Sequence, residues 1–395
     1  MSERSAAAAP GWLDAPTDVD ARRVGPESPQ SGAQRANHEP VTQVATARTV
    51  PFDALGDAEL AVWHRLRAAN PHLDSPYFHP GFAAAVHASG RPVHVVVGRD
   101  ERGQIAALLP GHREGALLRP AGWPAADFQG PVLAPGTSFP PLKLLGGGVR
   151  GFAFDHLLEP CPDFAPWVES RRASPYADTS GGLDGYLGRA SRSGKDNMAQ
   201  ARRRAAKAER AYGTVRFAAD IVDETALDRV IELKRAQYAA TGARDYFTEP
   251  DRRELLIRLL HTRDPGFAGV LSTMHAGDRL LAAHFGIRSG GVLHWWFPVY
   301  DPEFATLSPG WMLLRELVAA APAMGITRID FGRGDDEYKR RAKTGETLVC
   351  QGMVTRSSTL RALRRARSSL IAAVRSSALG PGLRRVVRKV RTLNR

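Results

Sequence analysis

Cysteine is nearly absent: Cys161 and Cys350 are the only two in 395 residues. That excludes a disulfide framework, and the expected compartment is a reducing cytoplasm. No CxxC or HExxH pattern occurs and the histidines are scattered, so no metal site is expected. No stretch of about twenty uncharged apolar residues exists, which leaves no candidate transmembrane helix. The first residues, MSERSAAAAPGWLDAP, are too weakly apolar and too soon acidic for a signal peptide. Acidic charge is missing from the C-terminal tail, where basic charge gathers. From Arg356 to the end, twelve Lys and Arg stand without an Asp or Glu, against a net charge of +13 for the whole chain. A nearly neutral body with a basic tail points to an enzyme with an attachment segment.

What is present is a normal globular composition, 43% apolar and 8% aromatic, long enough for two domains with real cores. Residues 1–48 are rich in Ala, Pro, Ser, Gln and Arg without helical or strand period, and are expected to be disordered. Order is expected from "VPFDAL", with a helix carrying Leu60, Trp63 and Leu66 on one face. A strand at His94–Gly98 turns at Asp100–Gly103 and returns over Gln104–Pro110. "AADFQGPVLAPG" reads as a loop and short strand, and "FAFDHLLEP" as a strand. These elements make a first half over 49–182.

The second half, 183–358, opens with a long basic helix in "KDNMAQARRRAAKAERAYG" and a strand. "DETALDRVIELKRAQYAATG" is amphipathic, with Leu227, Val230, Ile231, Lys234 and Tyr238 at helical spacing, and "EPDRRELLIRLLHTR" is a further helix. Three strands follow in "AGVLSTMHAG", "RLLAAHFGIRSGG" and "VLHWWFPVYD", joined by Gly-containing turns. A helix over Pro309–Ala320 and a strand over Ile326–Phe331 complete the unit. The whole is an α+β arrangement with a ligand site expected where the crossover helix begins. Residues 359–395 form a basic amphipathic tail, suited to an anionic membrane surface, with nucleic acid as the other option.

The crossover helix starts at Ser308-Pro309-Gly310. A helix N-terminus leaves backbone N–H groups unpaired and carries partial positive charge, and a glycine lets phosphate approach the backbone. The amides of Gly310, Trp311 and Met312, with Ser308 ahead of them, are the candidate cradle for a pyrophosphate. His284, amid apolar residues in "LAAHFGI", is a candidate base, since histidine titrates near neutrality. Asp330, at the end of the last strand, is a candidate base, orienter or cap. Asp335 and Lys339 in the acidic loop are candidates for acceptor binding, with ordinary surface pairs as the other reading. The basic helix over 195–210, with Arg202, Arg203, Arg204, Lys207 and Arg210, offers a face to an anion or to solvent.

The ordered set "AAHFG … YDPEFATLSPGWMLL … GITRIDFGRGDDEYKRR" resembles the GNAT acyltransferases, in particular the cellulose-biosynthesis acetyltransferase (CelD/BcsL-like) branch, which is related to the two-domain Fem-type transferases. "RRRAAKAERAYG" and "LLPGHREG … PAADFQGPVL" extend the resemblance over roughly residues 50–358. It implies two GNAT-like halves in tandem and direct transfer from acyl-CoA, with acetyl-CoA the expected donor, to an amine or hydroxyl of a sugar, polysaccharide precursor or other envelope component. It also implies that the strand before the cradle holds the donor's acyl-carrying arm, and that Tyr338, just past the last strand, is the acid. At the usual pyrophosphate signature this chain has Leu307, Gly310 and Met312, matching at the glycine alone. A charged tRNA as donor, or a non-catalytic binding protein, therefore stays open. The expected place is the cytoplasm, peripheral at the inner membrane face if the tail attaches there.

Overall fold

The computed structural model describes residues 42–334, 336–364 and 366. Most of the segment expected to be disordered, most of the basic tail, and Asp335 lie outside the described residues. Order begins earlier than residue 49: Val44 is fully buried over Gly98, and β1 (Thr46–Pro51) pairs along β2 (His94–Arg99). Between them lie α1 (Asp57–Ala69), which buries Trp63 and Leu66 as its spacing predicts, and α2 (Pro80–Ala88). The helix α2 has proline at its first position, and His79 Nδ1 accepts from the Gly81 amide to cap it.

The expected hairpin is formed by β2 and β3 (Ile105–Glu114). The first half continues with β4 (Leu117–Pro120), β5 (Val132–Leu133), β6 (Gly151–Leu158) and β7 (Val168–Asp178). The second half contains α3 (Gly182–Arg189), α4 (Arg192–Tyr212), β8 (Val215–Ile221), α5 (Glu224–Thr241), α6 (Pro250–His261), β9 (Arg263–Asp264), β10 (Phe267–Ala276), β11 (Arg279–Ser289), β12 (Val292–Tyr300), α7 (Pro309–Ala320), β13 (Arg328–Asp330), α8 (Glu337–Ala342) and β14 (Gly345–Thr355). Asp223 caps α5 by accepting from the Ala226 amide, and Gly242 ends it in the left-handed region.

The strands form one mixed sheet in the order β1-β2-β3-β4-β6-β14-β7-β13-β12-β11-β10-β8. Two pairs are parallel, β4 with β6 and β12 with β13, one in each half. In the second half the crossover between them carries α7; in the first half it carries only a short turn of helix at Pro141–Leu144 and β5. The last strand, β14, does not stay with the second half. It inserts between β6 and β7, so strand pairing crosses the division expected between residues 182 and 183. One apolar core joins α1 and α2 to α5 and α6, with Trp63, Phe82, Leu227, Leu256 and Phe285 all buried. On the opposite face of the second half, Met198 of α4 and Leu313, Leu314 and Leu317 of α7 pack with Trp295. No helix among the described residues is long and apolar enough to cross a membrane.

Candidate active site

The site is made where β12 and β13 part. Their parallel pairing covers Val292–Arg328, Leu293–Ile329 and His294–Asp330, and stops there, although β12 runs on to Tyr300. Pro298, which cannot donate to a neighbour, lies in the unaccompanied stretch. On the other side, the pairing of β11 with β12 slips around Gly286, where a Cβ would collide with the His294 carbonyl. This bulge re-aims the next two residues. Trp295 turns to one face and stacks on His284 at 4.2 Å between ring centres; Trp296 turns to the other and donates its indole N–H to the Ala125 carbonyl at 2.9 Å.

Beyond the split lies a cavity of about 200 Å³. Its walls come from both halves. Lys234, Gln237 and Tyr238 reach it from α5, Trp295, Trp296, Pro298, Val299 and Tyr300 from β12, Gly310 and Leu313 from the start of α7, Asp336, Tyr338 and Lys339 from α8 and its approach, and Asp127 from the first half. Of the residues singled out in the sequence, Gly310, Tyr338 and Lys339 meet here. Burial pushes the Tyr338 phenol well above its ordinary value, so it stays protonated. Lys339 is buried and donates to the Gly332 and Arg333 carbonyls at 3.3 and 3.2 Å, with the Asp336 carboxylate at 3.4 Å. Its ammonium therefore ties the acidic loop together. Asp336 lines the cavity as well.

The other expected residues lie elsewhere. His284 is fully buried on β11 and does not line the cavity; burial lowers its pKa to about 3, so the ring is neutral. Asp330 is also buried outside the cavity. Burial raises its pKa, with the Arg328 guanidinium opposing at 3.0 Å, and the same guanidinium grips Asp74 of the first half bidentately at 2.7 Å. Asp330 thus belongs to an ion-pair clamp between the halves. Ser308 adopts a left-handed conformation, with φ 48°, and its carbonyl accepts from both Trp311 N–H at 3.0 Å and Met312 N–H at 3.4 Å. Those two amides are spent inside the first turn, and the Trp311 and Met312 side chains are core. Of the four expected cradle residues, Ser308, Gly310, Trp311 and Met312, Gly310 alone lines the cavity.

A network unforeseen from the sequence holds the cavity's first-half wall. Asp127 accepts from His156 Nε2 at 3.1 Å and from His294 Nε2 at 3.0 Å, one ring on each carboxylate oxygen. His156 Nδ1 meets Asp155 at 2.8 Å, and Arg333 donates to the Asp155 carbonyl at 2.6 Å. Burial alone would raise the Asp127 carboxyl, but the two histidines outweigh it and hold it well below the usual carboxylate range. Burial likewise works against the His156 cation, yet the flanking carboxylates raise its pKa. Gly332, with φ +71°, lets the chain pass Asp127 where a Cβ would strike its Oδ2. The signals were present in "AADF", "FDHLL" and "VLHWW", but nothing in their spacing joins them. Among the described residues, no group of three His, Cys, Asp or Glu is placed to hold a metal.

Lys234 lies on the buried stripe of α5, between Leu227 and Tyr238 in helical phase. Its Nζ is 3.4 Å from the Pro298 carbonyl and 5.5 Å from the Tyr238 ring centre, and it makes no ion pair among the described residues. Burial, then the nearby Lys339 charge, lowers its pKa to about 8, with Asp336 opposing.

Residues 195–340 match the family described as Acetyltransferase (GNAT) domain. A comparison with curated proteins gives no match. Among solved structures, the chain is similar to FemX at 9% identity and a TM-score of 0.52, over 80% of this chain and 100% of that one. It is similar, too, to the C-terminal domain of a putative lysylphosphatidylglycerol synthetase from Agrobacterium fabrum, at 14% identity and TM-score 0.47, over 80% and 98% of the two chains. A tandem GNAT protein from the clavulanic acid biosynthesis pathway matches at 14% identity and TM-score 0.44, over 78% and 98%. At such identities the likeness is one of fold. Residues 195–340 thus match a GNAT acetyltransferase domain, within a mixed α/β fold similar to that of FemX.

Proposed function

We propose that the protein is an acyl-CoA-dependent acyltransferase that passes an acyl group directly to an amine or hydroxyl. The observation that carries this reading is the cavity at the split of β12 and β13, with the first residues of α7 at one end and ionisable groups of both halves around it. The unaccompanied stretch of β12 offers backbone groups to the donor's amide-bearing arm, as an added strand would use them. Trp295, Trp296 and Leu313 supply apolar wall, and the Gly310 amide is the donor left for a phosphate. Tyr338, held protonated, supplies the proton for the leaving sulfur. Direct transfer is favoured over a covalent enzyme intermediate because burial raises both thiols, Cys161 to about 12 and Cys350 to about 11, and neither lines the cavity. An acceptor on a sugar, polysaccharide precursor or other envelope component is our reading from the sequence resemblance to the cellulose-biosynthesis branch.

A second donor, charged tRNA, is favoured by one feature. Arg202, Arg203, Lys207 and Arg210 lie exposed on α4 and make no ion pair among the described residues. The deciding experiment is thermal unfolding in the presence of acetyl-CoA, longer acyl-CoAs or tRNA. A ligand at about a hundred times its Kd adds about 2.7 kcal/mol to the native state. Stabilisation by an acyl-CoA supports our reading. Stabilisation by tRNA alone, steeply lost with salt, replaces it with aminoacyl transfer. No response to any of them leaves a non-catalytic binding protein. In the acyltransferase, Tyr338→Phe lowers turnover about a hundredfold with donor binding little changed.

A further inference from the structure

Transfer to an amine or hydroxyl needs a group in the cavity that takes a proton. His284 is shut in the core behind Trp295. Asp127 lines the cavity, but both its oxygens are occupied by histidine donors that favour the anion. Asp336 is paired with Lys339, whose ammonium is held by two carbonyls. Lys234 is different: it lines the cavity without an acidic partner among the described residues, beside Pro298 on the strand we assign to the donor's arm. We propose that Lys234 Nζ is the general base of the transfer, taking the acceptor's proton as the new bond forms.

This inference rests on the acyltransferase reading. The acceptor's nitrogen or oxygen lone pair attacks the acyl carbonyl carbon, and its proton passes to the neutral amine of Lys234. The carbonyl–sulfur bond breaks, the sulfur takes a proton from the Tyr338 hydroxyl, and the Lys234 ammonium restores that proton. Atoms and charge balance without an oxidant or other reagent. The charged and titratable groups facing Lys234 are Tyr238 on its own helix, Tyr300 on β12, Asp127 from the first half, and Asp336, Tyr338 and Lys339 around α8. The lowered pKa of about 8 leaves a sizeable neutral fraction near neutral pH, as a lysine base requires.

Two measurements on the full chain test it. In the first, trace labelling with acetic anhydride is followed by peptide mass spectrometry from about pH 6 to about 11. Lys234 should label with a midpoint near 8, while a water-exposed lysine in a reference peptide follows the ordinary value of about 10.4. A Lys234 midpoint at the surface value, or no labelling of Lys234, overturns the proposal whatever the activity. In the second, transfer from acetyl-CoA to a panel of small amines and amino sugars is measured against pH. Lys234→Arg and Lys234→Ala should each lower kcat about a hundredfold and lose the rise of rate near pH 8, with circular dichroism unchanged. Methylamine should restore part of the rate to Lys234→Ala. Wild-type transfer with both variants keeping its rate and pH profile overturns Lys234 alone. A wild-type chain that transfers to nothing overturns the acyltransferase reading, and the base assignment with it.

Discussion

Asp127→Ala removes the one acceptor shared by two buried imidazoles, and its cost follows from the geometry. The carboxylate accepts from His156 at 3.1 Å and from His294 at 3.0 Å. A hydrogen bond to a charged group contributes about 1.5–3 kcal/mol, and breaking a buried ion pair costs about 3–5 kcal/mol. The Asp127 side chain keeps 26% of its surface exposed, so the lower part of the range applies, about 3–4 kcal/mol. Asp127→Asn keeps one acceptor oxygen for His156. Its amide nitrogen then faces His294, which can move its proton to Nδ1 and accept, so about 1.5–3 kcal/mol is expected. The pH dependence distinguishes this from simple packing loss. The raised pKa of His156 contributes stability that is fully present below the unfolded value of about 6.5 and is lost as pH rises through the folded value. The depressed pKa of Asp127 contributes stability present above about 3.9 and lost as pH falls through its folded value. The gap between wild type and Asp127→Ala is therefore widest between about pH 4 and about 6.5 and narrows as pH rises through the folded value of His156. Urea unfolding followed by tryptophan fluorescence measures it, with the slope m unchanged. A variant within about 0.5 kcal/mol of wild type at pH 5.5, or a gap that widens with pH, refutes the network's energetic role.

Gly310→Asp puts a carboxylate where the donor's phosphates should lie, and affinity for acetyl-CoA by calorimetry should fall at least tenfold, about 1.4 kcal/mol, in a folded protein. Unchanged affinity ends the assignment of Gly310 to the donor. Burial of neutral His284, with a pKa of about 3, contributes stability present above about pH 6.5 and lost as pH falls, about 1.4 kcal/mol one unit lower. His284→Leu should lose less stability than wild type between pH 7.5 and pH 5.5, and an equal loss in both proteins contradicts it. We also propose that the basic tail attaches to anionic membrane. Arg364 is bonded bidentately to the half-buried Glu169, so the informative truncation follows Ala366 and keeps that pair. The shortened chain should lose co-sedimentation with anionic vesicles, while full-length binding should weaken as the Debye length shrinks from about 10 Å to about 3 Å between 0.1 M and 1 M salt. Equal binding by both forms rejects attachment through the tail.

Local chemistry made much of this protein legible from residues alone. Apolar stripes at helical period place α1, α5 and α6, and the glycine turns between β10, β11 and β12 fix that meander, because a helix face and a two-residue turn are written within a few positions. Two central strands escaped notice. In β7 the sequence VESRRASPYAD is charged and contains proline, and in β14 alternation is broken by Gly352, yet they pair along nearly their whole length. Their pairing is written in neither segment, because it is a contact between residues about 170 positions apart, such as Val349 with Arg172. The site divides the same way. Gly310 and Tyr338 could be placed from the order of elements, since a helix start and a strand end have fixed positions in the crossover. Those elements and the type of each candidate group are written in the local sequence. Their chemistry came from long-range packing: burial neutralised His284, the joining of two halves set Asp127 against His156 and His294, and the shape of the cavity left Lys234 without a counter-ion among the described residues. Each of these is a matter of which groups exclude water from which others, and that is settled by contacts far apart in the chain.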